Sequence, residues 1–258
     1  MYLTAQHVAL ANQAVLETFE KCSVAWQSIP QWKTGDPAQT QVRKDNVTPP
    51  AAILNIAPLK RNFDVTLALA LSADPSPLLN VVNYHTVKLA ADFDSAVLTS
   101  LHTDNGSKQT LPFGTADEIL ASMITTRALL ENNGFRSPLC VIANTAAFQE
   151  LNKLDSGVSS LDAILTGAAV NSLHRVDKIE SEAPTKARVL LVGRRQRIPH
   201  GGASDVSPGE EPVDLAVSVA PSLEVVGESG TNGIGLAVRL AYALRMKDPG
   251  GVATITAQ

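Results

Sequence analysis

Apolar residues return at helical spacing near the start of the chain. Val8, Ala11, Val15 and Phe19 fall three and four apart, and Thr4 stands where an N-cap belongs. The stretch from Thr4 to about Cys22 is therefore expected to be a helix with one apolar stripe. Val24-Ala-Trp26 and Ile29-Pro-Gln-Trp32 then place both tryptophans in a short segment with proline. That reads as an arm anchored by large side chains rather than as a helix. From 33 to 62 the pattern fades: Lys33-Thr-Gly-Asp-Pro37, Arg43-Lys-Asp-Asn46 and Thr48-Pro-Pro50 are polar and rich in turn formers. A stretch of that length is too long for a simple connector. A two-stranded excursion fits it, with Gln39–Arg43 running out and Ile53–Pro58 running back.

Asp64-Val-Thr-Leu-Ala-Leu-Ala-Leu71 alternates as a strand should. Leu78, Val81, Val82, Leu89, Phe93, Val97 and Leu101 predict a long helix over 78–101, ended by the turn residues His102–Gly106. The next helix is the best specified. Thr115 with Glu118 makes a capping box, the apolar positions Ile119, Leu120, Met123, Ala128 and Leu130 follow, and Asn133-Gly134 supplies the stop. Leu139–Ala143 reads as a buried strand, Thr145–Leu154 as a short helix and Leu161–Gly167 as another. Strands are expected near Arg188–Val192, Val213–Val219, Ile234–Arg245 and Val252–Thr256. Gly193–Pro212, with three arginines, four glycines and three prolines, reads as an exposed tip.

Composition adds exclusions. The 258 residues suffice for one large domain or two medium ones. Aromatics are only 4%, so the core must rest on Ala, Val, Leu and Ile. A net charge of −4, with basic residues scattered apart from Arg194, Arg195 and Arg197, argues against tight, direct nucleic-acid recognition. The two cysteines, Cys22 and Cys140, stand far apart without a CxxC or Cys/His cluster, which argues against zinc or a disulfide framework. Met1–His7 lacks the form of a signal peptide, and no apolar run approaches the roughly 20 residues that span a bilayer. Synthesis in the cytoplasm is expected.

Candidate chemistry fails on inspection. Gly230-Thr-Asn-Gly233-Ile-Gly235 misses the dinucleotide-loop spacing, because Val238 sits where the third glycine belongs. Gly193-Arg-Arg-Gln-Arg197 lacks the Lys-Ser/Thr ending of a phosphate loop. His7, His85, His102, His174 and His200 are isolated, and no Gly-x-Ser-x-Gly elbow occurs. Asp92 and Asp94 point apart on a helix, so they do not form a shared acid–base site. No catalytic residue, cofactor site or metal site is assigned.

The order of elements resembles the Hong Kong 97-type capsid fold shared by the major capsid proteins of tailed bacteriophages and by encapsulins. Phe63–Leu69 looks like the strand after that family's extended loop, and Ala90–Leu98 resembles its acidic, aliphatic helix. Asp117 through Asn144 is similar to the spine helix, its glycine turn and the first axial strand, and Val213–Val219 through Val238–Tyr242 to the closing strands. The resemblance implies an α+β subunit divided into an N-terminal arm (1–32), an extended loop (33–62), a peripheral domain (63–134 and 227–258) and an axial domain (135–226). It implies a non-enzymatic major capsid protein whose pentamers and hexamers enclose double-stranded DNA, contacted non-specifically, in a virion assembled in the host cytoplasm. Partners would be further copies, with scaffolding, portal and decoration proteins, and no membrane. A fused N-terminal scaffolding segment is not expected.

The alternative is an encapsulin enclosing cargo protein, with Val8, Ala11, Val15 and Phe19 lining a cargo groove. Arg43, Lys44, Lys60, Arg61, Arg194, Arg195 and Arg197 are the candidates for contacts between subunits, and Trp26 and Trp32 for arm anchors. Some family members cross-link a loop lysine to an asparagine of the next subunit, a role for which Lys44 and Lys60 are the candidates.

Overall fold

The computed structural model describes residues 3–45, 52–155, 157–177, 179, 186–194, 211–230 and 232–258. In chain order the elements begin with helices α1 (Ala5–Cys22) and α2 (Val24–Ser28). Strands β1 (Gln31–Lys33), β2 (Gln41–Arg43), β3 (Ile53–Asn55) and β4 (Ala57–Thr66) follow, then helices α3 (Leu67–Ala70) and α4 (Ser76–Asp104). Next come β5 (Ser107–Leu111), α5 (Ala116–Asn132), β6 (Arg136–Ala143), α6 (Thr145–Leu151), the two-residue strands β7 (Leu154–Asp155) and β8 (Val158–Ser159), and α7 (Leu161–Gly167). Strands β9 (Val170–Arg175), β10 (Arg188–Arg194), β11 (Val213–Ser229), β12 (Gly233–Met246) and β13 (Val252–Ala257) complete the chain. Two compact units result. The first holds Met1–Arg43, Ala52–Asp94 and Leu215–Arg245, and the second holds Lys44–Ala51, Ser95–Asp214 and Met246–Gln258.

The first unit is built on a four-stranded sheet of order β1-β11-β12-β4. β12 and β4 run antiparallel from Gly233 opposite Thr66 to Tyr242 opposite Ala57, and β1 lies parallel to β11. α1 starts where Thr4 accepts the His7 N–H, and Ala11, Val15 and Phe19 on its stripe are buried. An aromatic cluster carries the core: the Phe19 ring meets Trp26 and Phe93 edge-on at 5.4 Å, and Phe93 meets Tyr242 at 4.7 Å.

The second unit is a five-stranded sheet of order β5-β13-β10-β6-β9, with parallel pairs at both ends and antiparallel pairs between. Leu139, Val141, Ala143, Val189, Leu191, Ala253 and Ile255 alternate onto one face. There they pack with Ile119, Met123 and Leu130 of α5, Ala147 of α6 and Ile164 of α7. α5 begins with the capping box read from the sequence, Thr115 and Glu118 each satisfying the other's backbone N–H. It ends in a Schellman turn: Gly134, at φ +87°, donates to Glu131 O, and Phe135 N donates to Leu130 O. Only a residue without a Cβ adopts that left-handed backbone freely.

Several boundaries differ from expectation for identifiable reasons. Val24–Ser28 is helical and not an extended arm, because Ser23 Oγ caps it by accepting the Trp26 N–H. The expected strand 64–71 stops at Thr66, whose hydroxyl accepts the Leu69 N–H; the Leu-Ala repeat suits a helical turn as well as an alternating strand. At its other end pairing with β12 draws β4 back to Ala57. α6 stops at Leu151 and releases Leu154 into β7. β11 runs to Ser229, well beyond the alternation visible in 213–219, and Gly230 at φ +60° follows it. Gly193, expected to open an exposed tip, is buried inside β10. Of the rest of that expected tip, 195–210 lies outside the described residues.

Candidate assembly surfaces

The base of the expected loop is a β2–β3 hairpin, with Gln41 opposite Asn55 and Arg43 opposite Ile53. One side of it packs on the first sheet: Val42 and Ile56 are buried against Ala216 of β11 and Ala243 of β12. Two buried apolar residues, one per arm of the excursion, are too few to produce a periodic signal. The outward side of the hairpin is open, and Ile53 is 66% exposed.

The sequence-derived cations fall at separate places. Arg43 ends β2, and its carbonyl accepts from Arg245 Nη1 at 3.4 Å. Lys44 follows it and is half-buried. Lys60 donates to Glu224 at 2.8 Å, and Arg61 to Asp92 at 2.9 Å. Glu224 also faces Arg239 at 3.6 Å, and donation from Lys60 holds its carboxyl below the usual glutamate range. Lys60 and Arg61 thus already have acidic partners on their own chain. Arg194 is the last residue of β10, in register with Arg136 of β6. Arg195 and Arg197 lie outside the described residues.

Of the two tryptophans, Trp26 is buried beside Phe19, and Trp32 is half-exposed with the Arg245 guanidinium 4.5 Å from its ring centre. Arg245, only 6% exposed, was not expected to matter. Neither was Asp94, whose carboxylate accepts from Ser23 Oγ at 2.6 Å, Val24 N at 2.9 Å and Ala25 N at 3.0 Å. This ties the start of α2 to α4. Burial pushes the Asp94 carboxyl above the ordinary aspartate value, against these three hydrogen bonds. Its place on the buried stripe of Ala90, Phe93 and Val97 was the signal in the sequence, since a charge at a core position needs partners. Asp92, two residues away, pairs with Arg61, so the two aspartates act separately.

Among the described residues the remaining candidates do not converge on a reaction centre, and His200 lies outside them. His85 stacks flat on Phe63 at 4.2 Å, and burial, with Arg61 nearby, pushes its pKa down. Among the described residues no group of three His, Cys, Asp or Glu stands together to hold a metal ion. No described helix is long and apolar enough to cross a membrane. What the surface does offer is sheet edges and isolated apolar side chains. β4 flanks the first sheet over ten residues, and β5 and β9 flank the second. Leu154 and Val158 on the β7–β8 hairpin are 68% and 71% exposed, and Leu71 and Tyr84 of the first unit are 62% and 60% exposed. An edge strand offers unpaired backbone groups to which a further strand can add, whereas single exposed apolar residues are ordinary on a protein surface.

No family model and no curated protein matches this chain in sequence. Solved structures do match. The chain is similar to the virus-like particle of Pyrococcus furiosus, with a TM-score of 0.71 at 17% identity, over 97% of this chain and 100% of that one. It is similar to the capsid of Myoviridae phage XM1, with a TM-score of 0.59 at 13% identity, over 89% and 90% of the two chains. An encapsulin from Synechococcus elongatus PCC 7942 matches with a TM-score of 0.52 at 10% identity, over 92% and 88%. The chain therefore has the α+β Hong Kong 97-type fold found in phage capsids and encapsulins.

Proposed function

We propose that this chain is a phage major capsid protein, a non-enzymatic subunit that closes with its copies into an icosahedral head around double-stranded DNA. The observation that carries this is the fold likeness to the Pyrococcus furiosus virus-like particle, which takes in 97% of this chain and the whole of that one. The open edges of β4, β5 and β9 and the exposed Ile53, Leu154 and Val158 fit a subunit that neighbours cover. In this reading 1–32 is the arm, 33–62 the loop laid over a neighbour, 63–134 with 227–258 the peripheral domain, and 135–226 the axial domain of pentamers and hexamers. Its site is the virion, assembled in the host cytoplasm, with portal, scaffolding and decoration proteins as further partners.

The capsid is favoured over an encapsulin by the first helix. Ala11, Val15 and Phe19 are each 0% exposed, taken up by the chain's own core, so they do not offer a groove to cargo. The test is to isolate particles from the cells that make the protein and to record negative-stain images with the ratio of nucleic-acid to protein absorbance. DNA-filled heads are expected. Protein-filled shells of low nucleic-acid absorbance would replace the capsid by an encapsulin, and a monomer would remove both.

A further inference from the structure

Three charged side chains, two of them buried and one partly so, meet where β11 begins and β12 has just ended. Lys247 Nζ lies 3.1 Å from Asp214 Oδ2, and their side chains are 8% and 7% exposed. Glu211 Oε2 stands 3.8 Å from the same nitrogen, on a side chain 16% exposed. The approach is fixed by the backbone. The N–H groups of Lys247 and Asp248 both donate to Pro212 O, at 2.8 and 3.0 Å, two residues before Asp214. Val213 and Leu215 on either side of Asp214 are fully buried, and Met246 before Lys247 is buried. A buried ion pair is weak evidence of stability, because desolvation offsets its attraction. An amine and a carboxyl held together in a dry site by the backbone are, however, arranged for reaction, since fixed proximity replaces a bimolecular encounter.

We propose that Lys247 and Asp214 join in an amide bond within one chain, with Glu211 as the proton relay. A proton passes from the Lys247 ammonium to the Asp214 carboxylate, which leaves a neutral amine beside a carboxylic acid. The nitrogen lone pair attacks Asp214 Cγ, forming the C–N bond and a tetrahedral carbon. Glu211 takes a proton from the nitrogen and delivers it to the departing hydroxyl. The C–O bond breaks, water leaves, and the carbonyl is restored. No oxidant, reductant or activating group is consumed: amine and acid become amide and water. The product is a covalent clamp between the entry to β11 and the exit from β12.

The test is the intact mass of the purified full chain after denaturation, followed by a tryptic digest. The wild-type chain is expected to be lighter than its sequence by one water. Its digest should contain a branched peptide that joins the segments carrying Asp214 and Lys247. Lys247→Arg, which keeps a cation opposite Asp214, is expected at its full sequence mass, and Glu211→Gln is expected to accumulate the unreacted chain. Wild-type protein at full sequence mass, with linear peptides containing Asp214 and Lys247, would overturn the proposal. Glu211→Gln protein that closes as completely as wild type would remove the relay. The wild-type mass alone decides the bond, so a variant that fails to fold does not obscure it. The readout is independent of whether shells form.

Discussion

Replacing Asp94 with alanine removes the acceptor that holds the start of α2 on α4. Three donors lose their partner at once: Ser23 Oγ, Val24 N and Ala25 N. Ser23 and Ala25 are fully buried, so water does not replace the lost acceptor without opening the structure. An orphaned buried donor costs about 1–3 kcal/mol, so these two together cost roughly 2–6 kcal/mol. Part of that is returned, because the wild-type carboxylate is itself burdened by burial, as its raised pKa shows. A net local loss of about 3 kcal/mol is expected, a factor of roughly 100 in the opening equilibrium. Native-state hydrogen exchange on the purified protein, read at the amides of residues 23–29, measures that opening directly. Asp94→Ala should exchange there about 100-fold faster than wild type, with the α5 amides unchanged. Exchange at 23–29 within about threefold of wild type would refute the reasoning, because it would mean that these donors find other partners.

Asp94→Asn gives a pH test of the same contact. The folded Asp94 pKa is raised above 3.8, so the native state holds its proton more tightly than the unfolded chain and stability falls as pH rises from that value. Asparagine does not titrate, so the advantage of wild type over Asp94→Asn in thermal unfolding should shrink as pH rises upward from 3.8. Thr115→Ala removes one half of the α5 capping box and should lower stability by about 1 kcal/mol in the same assay. Lys60→Ala should cost under about 1 kcal/mol and leave assembly unchanged, because its partly exposed ion pair with Glu224 lies within the chain; loss of assembly would assign Lys60 to a neighbour instead. Arg245→Met removes the cation over Trp32 and the donor to Arg43 O, and limited proteolysis in 33–45 should become faster.

What was legible in the sequence was whatever repeats locally. The long α4, the Thr115–Glu118 box, the Gly134 stop and the buried strand around Cys140 each follow from neighbouring residues alone. Strand extents were less legible where partners set them. β4 reaches back to Ala57 because β12 pairs with it there, and nothing in Ala57-Pro-Leu-Lys60 alternates strongly enough to say so. β5 and β9, the edges of the second sheet, are half-polar segments that become strands by lying parallel to β13 and β6. The surface candidates fared according to the same logic. Lys60 and Arg61 were visible as charges, but their partners Glu224 and Asp92 are fixed only by the fold. Asp94 and Arg245 are buried charges whose importance lies in what surrounds them. The Lys247–Asp214 contact joins residues that come together only through the pairing of β11 with β12.

The most direct trial of the account is cryo-electron microscopy of the purified full chain expressed alone. Closed icosahedral particles are predicted, with residues 33–62 of each subunit lying on an adjacent copy and the β4, β5 and β9 edges covered by neighbours. A chain that stays monomeric at high protein concentration, or that forms only open aggregates with those edges bare, would contradict it.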